Sequence, residues 1–115
     1  MGTIAMRRLL TVLLCLTPAV AAAQSATTGK DGYELFIQCD SDNSAFNQGV
    51  CLGYLGALVD LEAATAEPDF CVPADEPLSV LQRAYVAAFQ SGGIPRGTSA
   101  TAAALQILAA AFPCQ

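Results

Sequence analysis

Four cysteines, Cys39, Cys51, Cys71 and Cys114, most constrain what this chain can fold into. All four follow an export-type leader in a chain of only 115 residues. Arg7-Arg8 precede an apolar stretch from Leu9 to Leu16, then Thr17-Pro18 and the small residues Ala19 to Ala23. A charged start, a short apolar run and a small-residue end form the pattern of a cleavable signal peptide, with the cut expected after Ala23. The run is too short to cross a bilayer, which takes about 20 residues. Lipidation at Cys15 fits less well, because Leu14 stands where a small residue should precede the cysteine, and the residues flanking Arg7-Arg8 match a twin-arginine signal poorly. The expected organisation is a signal peptide over 1–23, a flexible leader over 24–30 and one helical domain over 31–115. An even set of cysteines in an oxidising compartment then reads as two disulfides.

Helix length prunes the pairings. If Cys51 opens a helix that runs to about Ala66, the two ends of that helix lie roughly 20 Å apart. Direct Cys51–Cys71 pairing needs Cα atoms within about 7 Å and is disfavoured. Cys39–Cys51 with Cys71–Cys114 is the favoured arrangement, and Cys39–Cys71 with Cys51–Cys114 is the alternative. A redox role has little support: there is no C-x-x-C, and no cationic neighbour in sequence would lower a thiol pKa.

Beyond the leader the chain has three basic residues, Lys30, Arg83 and Arg96, against ten acidic ones, a balance of −7. That sign argues against nucleic acid and anionic membrane as partners, since both attract basic surfaces. Histidine is absent. Ser-His and Cys-His dyads, His-ligated metal sites and the commonest general base go with it.

The periodicity predicts four helices. Tyr33, Phe36 and Ile37 recur at helical spacing from Asp31 to Cys39, and Asp40-Ser41-Asp42-Asn43-Ser44 breaks the pattern with turn and cap residues. In the second helix Phe46, Val50, Tyr54 and Leu58 form a stripe beside Cys51, Leu55 and Val59, and Asp60, Glu62 and Glu67 leave it. Gly53, Gly56 and Ala57 cost helix propensity there, about 1 kcal/mol per glycine, which close approach of another backbone would repay. A connector from Glu67 to Glu76 holds Pro68 and Pro73, and Pro77 suits the first turn of a third helix with Leu78, Leu81, Tyr85 and Ala88/Phe89 facing inward. Ser91 to Gly97 stops it. Thr98 or Ser99 caps a last helix in which Thr101, Leu105, Leu108 and Phe112 share a face. No stretch alternates with period two, so the expected class is all-α: a small compact bundle of about four helices stapled by two disulfides.

Chemistry is sparse. There is no Gly-rich phosphate loop, nucleophile elbow or zinc spacing, so no catalytic residue, metal site or cofactor is expected. The Asp40–Ser44 run lacks the glycine and distal glutamate of a calcium loop and reads as a solvated turn. Asp60 and Glu62, two apart on a helix, point to different faces and read as solvated. Tyr54 and Tyr85 read as core aromatics whose hydroxyls reach the surface or a partner.

Three landmarks carry a resemblance. Cys51-Leu52-Gly53-Tyr54-Leu55 with Asp60 resembles the C-x-G-Y-[IL] signature that opens the second helix of the Rap/Tai immunity proteins. Phe70-Cys71-Val72-Pro73 resembles that family's F-C-x-P connector, and Phe112-Pro113-Cys114 its terminal F-P-C. With Cys39 upstream, the ordered set spans essentially the whole domain. Ala57 stands where the family usually has a second glycine, with Gly56 just before it, and Ser91 to Gly97 is richer in glycine than is usual. The resemblance implies a periplasmic homodimer that binds a peptidoglycan amidase effector delivered by type VI secretion and blocks its active site.

Two connectors are the candidate contact residues: Glu67, Asp69, Asp75 and Glu76 in the first, and Ile94 and Arg96 in the second. They combine charge, restricted backbone and, at Ile94, an expected exposed apolar tip. Two other classes compete. One is a small acid-activated periplasmic chaperone of the HdeA type, for which a lysine-rich terminus is expected but Lys30 is the only lysine. The other is an exported scaffold that has no toxin partner.

Overall fold

The computed structural model describes residues 29–115; the expected signal peptide and the expected leader up to residue 28 lie outside them. Helices α1 (Gly32–Cys39), α2 (Ala45–Ala63), α3 (Leu78–Gln90) and α4 (Ala100–Ala111) make up the fold, with no strand among the described residues. α1 packs against all three other helices, α2 against α3, and α3 against α4. Cys39–Cys51 and Cys71–Cys114 are the disulfides, each with Cα atoms 5.0 Å apart. The first closes 12 residues and the second 43. Loop-closure entropy makes them worth about 3 and about 4 kcal/mol, comparable with the whole stability of so small a domain.

Three of the four helices begin where a side chain can take their free N–H groups. The Asp31 carboxylate accepts from Tyr33 and Glu34, Ser44 Oγ from Asn47, and Ser99 Oγ from Ala102. Pro77 stands at the α3 N-cap and has no side-chain acceptor to offer.

The buried faces differ from the expected stripes in all four helices; in α3 Leu81 and Tyr85 are buried as expected, but Leu78 at the first turn is exposed. α1 buries Leu35 and Cys39, while Ile37 is half exposed. α2 buries Cys51, Leu55 and Leu58, and leaves Phe46 in solvent. This helix is apolar nearly all round, so periodicity alone cannot choose its inner face. α4 buries Ala100, Ala103, Ala104, Ile107 and Leu108, and Thr101 is exposed. Its inner face is built largely from alanines, which let α4 lie close to its neighbours.

The closest backbone approach is at Gly32. Its N–H donates to Thr98 O at 2.9 Å, and the neighbouring Ala100 N–H donates to Lys30 O at 2.8 Å. Its own carbonyl accepts the Tyr85 hydroxyl at 2.8 Å in the core. A Cβ on Gly32 would sit 2.6 Å from Thr98 O, a backbone atom that cannot swing away. Gly53 and Ala57, by contrast, are exposed, and Gly56 meets only the Leu78 side chain. The expected approach of another backbone onto α2 is therefore absent within the described chain; α1 makes it instead.

Tyr85 is fully buried, as expected of a core aromatic, and its hydroxyl finds the Gly32 carbonyl rather than the surface. Burial chiefly, with Tyr54 and Asp31 adding, pushes its phenol far above the ordinary value of 10.0. Above pH 10 the unfolded chain releases this proton and the folded one keeps it, so stability falls as pH rises. Tyr85→Phe should flatten that alkaline loss, and should cost about 0.5–1.5 kcal/mol at neutral pH by removing the buried hydrogen bond to the Gly32 carbonyl. Gly32→Ala should cost at least about 2 kcal/mol, because the added methyl overpacks against main chain. Urea titrations of the oxidised protein at pH 7 and pH 11 check all three outcomes.

Candidate partner-binding surface

The first connector joins α2 to α3 and is held at several points. Glu62, in the last turn of α2, accepts the Asp69 N–H at 2.7 Å. Cys71 is bonded to Cys114, and its N–H donates to Phe112 O at 2.9 Å. Phe70 inserts between these ties as part of the core. Glu62 is buried, which corrects the expectation of a solvated carboxylate. A carboxylate at the negative end of a helix is electrostatically misplaced. Its charge-assisted bond to the connector supplies the compensation.

Pinned in this way, the connector holds Glu67, Asp69 and Asp75 exposed and Glu76 half-buried. Beside it runs a groove of about 470 Å³, lined by Gly56, Val59, Asp60, Ala63, Val72, Pro73, Ala74, Glu76 and Leu78. A second cavity of about 250 Å³ shares Val59, Ala63 and Val72 with it and adds Glu62, Pro68 and Phe70. The surface is apolar at its floor and acidic at its rim. Among the described residues the only ion pair is Lys30 Nζ to Glu34 Oε1 at 3.1 Å. Arg83 lines a different cavity with Asp40 and Asp42, and the Arg96 guanidinium lies 3.9 Å over the Tyr33 ring. The acidic rim thus has no cation of its own.

The second connector, Ser91 to Gly97, turns through two glycines with positive φ, Gly92 at 75° and Gly97 at 91°. Side chains other than glycine rarely adopt that region. The turn carries Ile94 inward, and it is only 8% exposed, packed in the core with Ala88 and Ile107 close by. The expected exposed apolar tip is therefore not present. Arg96 remains exposed, stacked on Tyr33 in a cation–π contact worth about 0.5–1 kcal/mol. The two connectors lie at opposite ends of α3, whose 13 residues set them roughly 20 Å apart. Glu67, Asp69, Asp75 and Glu76 share one end, and Ile94 and Arg96 the other.

Sequence reasoning missed Gly32, Glu62 and the Tyr33–Arg96 stack. A glycine directly after the Asp31 cap was the one local signal available. No group of three or more His, Cys, Asp or Glu side chains among the described residues could hold a metal ion, and no described helix is long and apolar enough to cross a membrane.

The described residues thus form a doubly stapled helical scaffold with one fixed acidic connector. The profile of the family described as Rap1a immunity proteins matches residues 28–114, and the chain belongs to that family. No curated protein and no solved structure gives a significant match. The Rap1a family implies neutralisation of a secreted effector.

Ile94→Ala should lower stability by about 2–4 kcal/mol, the cost of a core cavity. Arg96→Ala should lower it by less than about 1 kcal/mol. Thermal melts of the oxidised protein distinguish a buried plug from an exposed tip.

Proposed function

We propose that this chain is a periplasmic immunity protein that binds a type VI secreted peptidoglycan amidase and blocks its active site, acting as a homodimer and carrying out no turnover itself. Family membership over residues 28–114 supports the immunity role, and two disulfides suit an exported protein. The observation that carries the reading is the connector from Glu67 to Glu76, exposed at Glu67, Asp69 and Asp75 yet anchored through Glu62 and Cys71.

Anchoring matters because a loop that enters an enzyme cleft loses conformational freedom on binding. A connector already ordered in the free protein loses little, and affinity gains by that difference. Its carboxylates have no cation paired with them among the described residues, so a basic surface on the effector is their natural complement. The balance of −7 speeds the encounter with such a partner. In this reading Glu67, Asp69, Asp75 and Glu76 make the contact, and Ile94 supports the fold.

Inhibition of the cognate amidase on purified peptidoglycan tests the proposal. The wild-type protein should abolish muropeptide cleavage at near-stoichiometric ratio. A charge-reversed variant with Glu67→Lys, Asp69→Lys and Asp75→Lys should associate at least about tenfold more slowly, while keeping its helicity and both disulfides. Full inhibition at an unchanged rate would remove the connector from the interface, and no binding by the wild type would overturn the proposal.

A further inference from the structure

Glu62 is a carboxylate in an unfavourable place. It is only 9% exposed, it stands in the last turn of α2 at the negative end of the helix, and the chain around it is strongly acidic. Among the described residues it receives one hydrogen bond, from the Asp69 N–H to Oε2. Oε1 takes none, yet it is not sealed from solvent. A glutamine oxygen would hold the Asp69 N–H without the charge, so anchoring the connector does not by itself require a carboxylate here.

The side chain lines a cavity of about 250 Å³ whose other walls are apolar, with Val59 and Ala63 from α2 and Pro68, Phe70 and Val72 from the connector. A cavity of about 150 Å³ admits a benzene molecule, so this one has room for a short aliphatic chain. Ala63 is exposed and Val59 and Val72 are half-buried, so the cavity opens at the surface. No cation among the described residues enters it: Lys30 pairs with Glu34, Arg83 lines another cavity, and Arg96 stacks on Tyr33.

We infer that this cavity is the receiving pocket for a lysine side chain of the partner protein, its aliphatic stem against the apolar walls and its ammonium on Glu62 Oε1. The inference rests on the proposed binding of an effector and deepens it, naming a contact that the exposed carboxylates of the connector do not make. The chemistry of the cavity selects the occupant. Apolar walls around a single carboxylate suit a side chain with an apolar stem and a cationic head. A purely apolar group would cover the carboxylate and leave it without a partner, which is costly. Lysine is favoured over arginine because one oxygen is already taken. A guanidinium binds a carboxylate best with two parallel N–H groups on two oxygens, whereas an ammonium is a compact charge that needs one. Glu67 and Asp69, exposed on either side of Pro68, draw a cation towards the opening. Rim and pocket then act on different steps: exposed carboxylates set the rate of encounter, and a desolvated charge pair sets the rate of release.

Binding kinetics of the oxidised protein on its cognate amidase test this. Glu62→Gln should raise the dissociation rate at least about tenfold and leave the association rate nearly unchanged, opposite to the effect of reversing Glu67, Asp69 and Asp75. Ala63→Leu, which narrows the opening from an exposed position and leaves Glu62 in place, should act in the same way. Both variants should keep their helicity and both disulfides. A loosened connector would also speed release, so the decisive readout is pairwise, with Glu62→Gln combined in turn with a lysine-to-methionine substitution at each surface lysine of the amidase. One lysine should be non-additive with Glu62→Gln, its loss having little further effect once the carboxylate is gone. An unchanged dissociation rate in Glu62→Gln overturns the inference. So does coupling to no lysine, or to an arginine instead, and either result leaves an inhibiting wild type and the proposed function intact. If the wild type binds no amidase, the proposed function fails and the pocket is judged by nuclear magnetic resonance with free probes. N-acetyl-lysine amide should then shift the Val59 and Val72 methyl signals in the wild type but not in Glu62→Gln, and N-acetyl-norleucine amide should shift them in neither. The absence of a lysine-specific shift overturns the pocket as well.

Discussion

The fold depends on the place where three helices meet a single residue without a side chain. Gly32 gives its N–H to the strand-like stretch before α4 and its C=O to Tyr85 of α3, while its Cα lies against Thr98. Both backbone groups of one residue are therefore satisfied by tertiary partners, where an unpaired buried group would be costly. The same contact brings Lys30 O to Ala100 N–H, so the start of α1 and the start of α4 are registered against each other. With these ends fixed, α1 can lie against all three other helices, which explains how an eight-residue helix holds the middle of the bundle.

The disulfides divide the remaining work by burial. Cys39 and Cys51 lie in the core and lock the α1–α2 turn, where Gln82 Nε2 also donates to Cys39 O at 2.7 Å. Cys71 and Cys114 are exposed and tie the first connector to the end of α4. A connector with two prolines, a buried Glu62 bond and a disulfide keeps one shape at the surface without a core beneath every residue. Rigidity in a surface segment is expensive in a small domain. Its placement beside an acidic rim, and not elsewhere, is what ties the fold to binding.

The number of helices, a cap for α4 at Thr98 or Ser99, and the favoured disulfide pairing were all legible in the sequence, because each rests on local chemistry or on chain length. The inward faces were legible only where polar residues mark the outside. In α2 apolar side chains surround the axis, and the bulkiest of them, Phe46, points to solvent. In α4 the inner face is mostly alanine, which carries a weak hydrophobic signal and a strong geometric one. Ile94 follows two glycines and precedes a proline, which reads as a loop tip. Only the left-handed turn at Gly92 sends it back into the core. Glu62 was misread for the same reason: its partner Asp69 lies seven residues away across a bend that periodicity does not describe.

These misreadings share a physical meaning. Where an apolar residue sits outside and a carboxylate inside, single-chain burial has been overridden. For Glu62 the override is internal at one oxygen, where the carboxylate orders the connector. For Phe46, Leu61, Gly49 and Gly53 it has no internal resolution: exposed apolar area and unneeded glycines both reduce the stability of an isolated copy. The two surfaces also differ in charge: the connector gathers four carboxylates between Glu67 and Glu76, whereas exposed Asp60 is the one carboxylate on the outer face of α2. The pull on a partner of opposite sign is therefore concentrated at the pinned segment.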